Sequence, residues 1–169
     1  GKSAALNVGV SLARGDVLVF TDAGAIAEPV CLRRLVAHFS DPEIGCVSSE
    51  DAITGGSSGE GAYVKYEMLL RRLETKIGSC TAVSGSLYAI RKELCPDFPP
   101  AAATDFLSVL ETVRRGFRAI SDPRAIARMG TVGCGDEFRR KVRTVLTGVS
   151  CMPAMLPLLN PLRYGLFSL

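Results

Sequence analysis

Hydrophobic and polar positions along this chain repeat with two different periods, and the points where the period changes mark the elements. Ala4, Leu6, Val8, Leu12 and Ala13 recur among small residues between Ser3 and Arg14 and stop at Gly15, which predicts a helix. Asp16 to Thr21 follows, with Val17-Leu18-Val19-Phe20 reading as a strand buried on both faces of a parallel sheet. Glu28-Pro29 opens a second helix, and Leu32, Leu35, Val36 and Phe39 predict one buried stripe on it. Cys46 to Ser49 predicts a short strand, and Thr54 to Gly59 a flexible loop. From Ala62 to Ile77 a helix is expected with Tyr66, Leu69, Leu70, Leu73 and Ile77 inward, and Lys65, Arg71, Arg72 and Glu74 on the other side.

Thr81 to Ile90 reads as a strand, a glycine break at Ser84-Gly85-Ser86, and a strand again; a glycine there marks a bend or a close backbone approach. A loop from Cys95 to Pro100 delivers Thr104-Asp105 to the start of a helix with Phe106, Leu107, Leu110 and Val113 inward and Gly116 as its stop. Phe117 to Ile120 and Ala125 to Met129 predict two short strands around the turn Ser121-Asp122-Pro123. Glu137 to Val149 predicts a basic helix. Thr144 to Leu162 then carries no charge, but Pro153, Pro157 and Pro161 interrupt it, which argues against one straight membrane span.

Composition narrows the partners. Twenty Lys and Arg stand against 17 Asp and Glu, and no dense basic stripe appears apart from Arg139-Arg140-Lys141-Val142-Arg143, so no nucleic-acid partner is expected. The six cysteines, Cys31, Cys46, Cys80, Cys95, Cys134 and Cys151, are scattered singly, as reduced thiols of a cytosolic compartment rather than a zinc site. His38 lies beside the second helix's apolar stripe and reads as a packing or surface residue. The chain opens on a glycine as if already inside a helix, so a piece of a longer protein is expected. At the end of the first strand the polarity switches abruptly at Thr21-Asp22. Ligands of open α/β sheets bind beyond the carboxyl ends of strands, which makes Asp22 the first site candidate; capping of the following turn is the alternative.

Five segments carry a family resemblance: Gly1-Lys2-Ser3-Ala4-Ala5-Leu6-Asn7, Gly15 to Ala23, Ser84 to Arg91, Thr104-Asp105-Phe106 with Arg115-Gly116-Phe117-Arg118, and Phe138-Arg139-Arg140-Lys141-Val142. Their order and spacing resemble the family 2 glycosyltransferases of GT-A fold, especially the membrane-associated, processive branch that includes cellulose- and hyaluronan-synthase-like enzymes. The resemblance implies an α/β fold, a partial GT-A domain over residues 1–143 with a Rossmann-like, mostly parallel central sheet and flanking helices, lacking its first strands. Residues 144–169 would follow as an apolar interface segment of short helices leading toward membrane helices, with a helix pair closing the domain's own core as the alternative.

The implied activity is transfer of a sugar, with inversion, from a nucleotide-diphosphate sugar donor to a hydroxyl of a saccharide or lipid-linked acceptor, at the cytoplasmic face of the cell membrane and its surface. The implied cofactor is Mg²⁺ or Mn²⁺, because hard oxygen ligands hold a cation against the diphosphate leaving group. Asp22 matches the first acid of the family's Asp-x-Asp motif, whereas Gly24 stands in place of the second. Asp105 matches the catalytic base, with Thr104 in place of the neighbouring acid and Glu111 where a later arginine is common; helix capping is the ordinary alternative for Asp105. Lys2, Asn7, Gly85, Ser86, Arg139, Arg140 and Lys141 are the implied substrate-binding residues, although Phe138 and Val142 replace the glutamine and tryptophan of the Gln-x-x-Arg-Trp element. These departures leave a degenerate, non-catalytic binding module as a second expectation. A P-loop triphosphatase is a third, since Gly1-Lys2-Ser3 ahead of a strand ending in Asp22 resembles a P-loop lysine and a Walker-B acid.

Overall fold

The computed structural model describes residues 1–54, 58–100, 102–130, 142, 145–149, 151, 153 and 156–164. In chain order the elements are α1 (Lys2–Leu12), β1 (Val17–Thr21), β2 (Ala25–Ala27), α2 (Cys31–Ala37), β3 (Ile44–Thr54), α3 (Ser58–Ile77), β4 (Leu87–Arg91), α4 (Thr104–Arg114), β5 (Arg118–Gly130) and α5 (Pro161–Tyr164). Short 3₁₀ turns at His38–Ser40, Lys92–Leu94 and Leu156–Leu159 complete them. The expected loop Thr54 to Gly59 shrinks from both sides, because Thr54 closes β3 and Ser58 already opens α3, while residues 55–57 lie outside the described residues.

One sheet runs in the order β1-β4-β3-β5-β2, flanked by helices, which is the expected mixed α/β class. Within that class the pairing is less parallel than the apolar strands imply. β1 with β4, β3 with β4, and β2 with β5 are antiparallel, and β3 with β5 is the parallel pair among the described strands. β1 therefore has a single described ladder partner. Leu18 is buried but Val19 and Thr21 are exposed, which corrects the reading of a strand covered on both faces. A run of β-branched residues signals a strand, not its place in the sheet.

The two short strands expected on either side of Asp122 are one strand, β5. Ser48 faces Ser121 and Glu50 faces Ile126, so residues 122–125 bulge out opposite Ser49, and the predicted turn survives as that bulge. The bulge holds the end of α2 in place. Asp122 Oδ2 lies 2.9 Å from His38 Nε2, and Asp122 Oδ1 accepts from the Arg124 backbone N–H at 2.9 Å. Burial pushes the Asp122 carboxyl up, but hydrogen bonds from Arg124 and His38 outweigh it and leave the pKa below the usual carboxylate value. His38 is thus a packing residue, as its sequence context suggests.

Two hydrophobic clusters form the core. One joins Leu18, Tyr88, Ile90, Val109, Leu110 and Leu158, and the other joins Cys31, Leu35, Val47, Leu87, Ile120 and Ala127. α4 supplies Val109, Leu110 and Val113 as expected, with Phe106 and Leu107 partly buried. It also buries Ser108 and Thr112, whose hydroxyls donate to the Thr104 and Ser108 carbonyls at 2.8 and 2.7 Å and so need no outside partner. The helix stops at Gly116, whose φ of 85° suits glycine.

Two predicted stripes are corrected, one in part and one in full. In α2 Leu35 is buried and Phe39 packs on the second cluster as expected, whereas Leu32 and Val36 are exposed and Cys31 is buried in their place. In α3 the stripe Tyr66, Leu69, Leu70, Leu73 and Ile77 stands 38–66% exposed, while Arg71 is only 6% exposed. The polar side of α3 faces the sheet because the sheet offers it partners. Arg72 makes two 2.6 Å bonds to buried Glu50, and Thr75 Oγ1 accepts from the Ser121 N–H at 3.0 Å.

Between α3 and β4 the regular strand begins only at Leu87; the stretch before it is irregular but buries Cys80, Val83 and Ser84. Residues 131–141 lie outside the described residues, as do most of the predicted basic helix and Cys134; 145–149 are helical. Beyond them Leu158 sits in the first cluster and Tyr164 packs on it, whereas Leu156 and Leu162 are exposed. No helix among the described residues is long and apolar enough to cross a membrane.

Candidate functional site

The site grows from the carboxyl end of β1. Lys92 Nζ donates to the Ala13 carbonyl at 2.6 Å and fixes the α1-to-β1 connection. The chain then turns at Asp22, whose carbonyl accepts from the Ala25 N–H at 3.0 Å and whose N–H donates to the Ser86 carbonyl at 3.0 Å. The Thr21 hydroxyl adds a 3.2 Å bond to the Asp22 carbonyl, and the Asp22 carboxylate takes no part in the turn. The Asp22 carboxylate stays in the cleft, 44% exposed, with Lys2 Nζ 3.2 Å from Oδ1. Its side chain does not cap the turn, which favours the ligand-facing reading.

Gly24 has open space where a side chain would stand, with nothing within 4 Å of its Cβ position. A carboxylate would fit there. Among the described residues no group of three or more His, Cys, Asp or Glu could hold a metal ion. Asp22 by itself is a hard oxygen donor. It suits a cation that keeps several waters and takes its other ligands from substrate phosphates, which is how Mg²⁺ is commonly held.

Across the cleft, Asp105 lies in the first turn of α4, where no side chain makes a capping bond. Its carboxylate makes no hydrogen bond or ion pair among the described residues, so the capping alternative fails. It lies against Gly85: a Cβ there would stand 3.3 Å from Asp105 Oδ2. Gly85 is the close backbone approach expected from the sequence. Ser86 differs from expectation, because its buried hydroxyl points inward to Asp51 and only its carbonyl serves the site. Asn7 also spends its side chain on structure, with Nδ2 donating to the Phe98 carbonyl at 3.1 Å and Oδ1 accepting the Phe98 N–H at 3.0 Å. That pair pins the loop before α4 to α1. Arg139, Arg140 and Lys141 lie outside the described residues.

Beneath the two acids is an aromatic floor. Phe20 stacks on Tyr88 with centroids 5.0 Å apart and meets Phe98 edge-on at 5.8 Å. Burial pushes the Tyr88 hydroxyl well above the usual phenol range despite its 3.1 Å contact with Ser108, so it stays neutral. Two cavities adjoin at Lys2 and Thr104. The larger, about 1040 Å³, includes Asn7, Phe98 and Asp105, and the smaller, about 560 Å³, includes Asp22, Gly85 and Tyr88. Lys2, Asp22 and Gly85 thus line the smaller cavity and Asp105 the larger one beside it, with Lys2 shared by both. Asp51, whose only signal in the sequence is an acid at the polar end of an apolar strand, lines neither and bonds to the hydroxyl of Ser86 from outside.

Comparison with solved structures agrees with this fold. The mannosyltransferase PcManGT from Pyrobaculum calidifontis, in complex with GDP-Man and Mn²⁺, is 25% identical with a TM-score of 0.71, over 93% of this chain and 47% of its own. Glucosyl-3-phosphoglycerate synthase from Mycobacterium tuberculosis matches in its complex with Mn²⁺, UDP and phosphoglyceric acid. There the identity is 26% and the TM-score 0.55, over 89% of this chain and 53% of that one. The same enzyme with Mn²⁺, UDP-Glc and phosphoglyceric acid gives 21% and 0.59, over 89% and 54%. This chain thus spans about half the length of the structures it matches. No curated protein sequence matches it. Residues 1–94, more than half of the chain and the part that contains Asp22 and Gly85, match the family described as Glycosyl transferase family 2, which removes the P-loop reading. With the fold, the cleft and this match in agreement, the chain belongs to glycosyl transferase family 2.

Proposed function

We propose that this domain transfers a sugar from a nucleotide-diphosphate sugar to an acceptor hydroxyl with inversion at the sugar carbon. The observation that carries the reading is that Asp22 and Asp105 both meet the Gly85-Ser86 turn, Asp22 through the Ser86 carbonyl and Asp105 beside Gly85, and line two adjoining cavities. The GDP-Man and UDP complexes of the similar enzymes support a nucleotide diphosphate as the donor's leaving group.

Asp105 accepts the proton of the acceptor hydroxyl as its oxygen bonds to the sugar carbon, and the bond to the diphosphate breaks on the opposite face. A single displacement of that kind inverts the carbon. Mg²⁺ or Mn²⁺, when bound, would neutralise charge developing on the diphosphate, and Asp22 is the residue that would hold it. Lys2 adds a positive charge at the same mouth of the cleft. Gly85 keeps side-chain bulk away from Asp105, and the floor of Phe20 and Tyr88 offers an apolar surface.

In the intact protein, with UDP-glucose and GDP-mannose as trial donors, Asp22→Asn is expected to weaken donor binding by about 10 to 100-fold, measured by calorimetry with Mn²⁺. Asp105→Asn is expected to keep donor binding and lower turnover by about 10² to 10⁴-fold. Turnover unaffected by both changes would overturn the assignment.

A second reading, a binding module without catalysis, draws on Gly24 and Thr104 in place of acids. Donor binding with no transfer to any saccharide would favour it. Restoring the acid with Gly24→Asp, for which there is room, would then tighten Mn²⁺ binding.

The wider setting follows the processive branch. The basic run Arg139 to Arg143 before a charge-free stretch, with Val145, Leu146, Val149, Leu156 and Leu162 exposed, supports a cytoplasmic membrane surface and a saccharide or lipid-linked acceptor. Flotation with anionic vesicles checks this, and equal flotation of a chain ending near Gly135 would count against it.

A further inference from the structure

Outside the lining of either cavity lies a polar network of buried serines joined to the half-buried Asp51 of β3. The Ser84 hydroxyl donates to the Asp51 carboxylate, with contacts of 2.6 and 2.8 Å to its two oxygens. The Ser86 hydroxyl donates to Asp51 Oδ1, and the Ser86 N–H donates to Ser84 Oγ at 3.1 Å. Ser48 Oγ accepts the Ser84 N–H at 2.7 Å and donates its own proton to the Ser49 carbonyl at 2.8 Å. The two hydroxyls also lie 2.6 Å from each other, so Ser84, Ser86 and the Asp51 carboxylate form one closed hydrogen-bonded cluster.

The outer side of the same turn is the site. Ser86 presents its carbonyl to the Asp22 N–H at 3.0 Å, and Gly85 lies against Asp105, with its Cβ position 3.3 Å from Oδ2. Two serines with one residue between them send both hydroxyls inward, which leaves the glycine to face the cleft. Ser84 and Ser86 are 0% and 3% exposed, so neither hydroxyl is available to a substrate.

We propose that Asp51 is a positioning residue of the transfer site: through Ser84 and Ser86 it fixes the turn that sets Asp22 and Asp105 relative to one another. This rests on the function proposed above for those two acids. Asp51 touches neither acid, and it acts by holding the backbone between them. Oδ1 accepts from both hydroxyls, and Oδ2 lies within reach of Ser84 as well. Asparagine at 51 would keep one oxygen acceptor for the serines but replace the other oxygen with a donor and a carboxylate with a neutral amide, a weaker hydrogen-bond partner.

The test combines hydrogen exchange with binding, using the intact protein. In Asp51→Ala the Asp22 amide, which depends on the Ser86 carbonyl, is expected to exchange at least tenfold faster, while the amides shared by β3 and β5 keep their protection. Affinity for the manganese complexes of UDP and GDP is expected to fall about tenfold, the size of effect that residues supporting a metal ligand have. Asp51→Asn should fall between alanine and wild type. Should Asp51→Ala not fold, Ser86→Ala removes one arm of the network and is expected to show the same local exchange with a smaller affinity loss. Unchanged exchange at Asp22 in a folded variant would overturn the proposal, and so would a uniform rise across the sheet. If the wild-type protein binds neither manganese nucleotide, the donor reading fails, and the exchange at Asp22 still decides whether Asp51 holds the turn.

Discussion

Helices α3 and α4 both flank the sheet and both carry apolar residues at helical spacing, yet they use that spacing in opposite ways. α4 buries Val109, Leu110 and Val113, and so its first turn is anchored where Asp105 meets Gly85. α3 turns Tyr66, Leu69, Leu70, Leu73 and Ile77 outward and puts Met68 and Arg71 inside. Arg71 has one bond, to Glu67 Oε1 at 2.5 Å, and its Nε and Nη1 are buried without a partner. Apolar periodicity thus establishes that a helix forms and which residues share a face. Which face meets the sheet depends on what the sheet offers, and beside α3 it offers Glu50 and the Ser121 N–H.

The comparison breaks most visibly on truncation. Leu110→Ala is expected to cost about 2 to 5 kcal/mol, through lost burial and the cavity left behind. Leu73→Ala should stay within about 0.5 kcal/mol, as for an exposed position. Urea unfolding of the two variants measures both, and a Leu73 loss as large as that of Leu110 would mean that the stripe on α3 is covered in solution.

A smaller effect probes the polar side of α3. Arg72→Ala leaves Glu50, whose side chain is 5% exposed, without its charge partner. The expected loss is roughly 2 kcal/mol, below the range for fully buried pairs because Arg72 is about half exposed to water. Arg72→Lys should recover only part of it, since one ammonium cannot reproduce both guanidinium bonds. A loss near zero would show that apolar contacts, not this pair, hold α3 to the sheet.

The smallest effect sits on the outer side of α4. Burial pushes the Glu111 carboxyl up, but Arg114 and Arg115 bond to it and the net shift is downward from the usual carboxylate value. A carboxyl lowered on folding adds stability that is present above its unfolded pKa and is lost as pH falls through its folded value. Glu111→Gln is therefore expected to cost up to about 1 kcal/mol at pH 7 and nothing measurable near pH 2, with urea midpoints compared at both. An equal difference at the two pH values would assign the effect to packing.

Much of the cleft was legible from sequence because it is local. The step from Leu12 through Gly15 to the strand that ends at Asp22, the glycine between Ser84 and Ser86, and the helix starting at Thr104 each follow from a few neighbouring residues. The residues drawn in from a distance were harder to place. Asn7 reads as a substrate ligand until Phe98, 91 positions away, takes both ends of its amide. Ser86 reads the same way until Asp51 claims its hydroxyl.

By itself the sequence determined most of the helices and the strands β1, β3 and β4, and marked Asp22 and Asp105 as candidates, because propensity, capping and periodicity act within a turn or two of chain. It missed β2 and split β5 in two. Only the tertiary structure decided that β1 has one described neighbour, that α3 faces the sheet with its charges, and that Asp51 bonds to Ser84. Those outcomes depend on strand order and on where most buried donors and acceptors find partners, the Arg71 Nε and Nη1 being exceptions among the described residues. That partner can lie anywhere along the chain, and a local pattern does not name it.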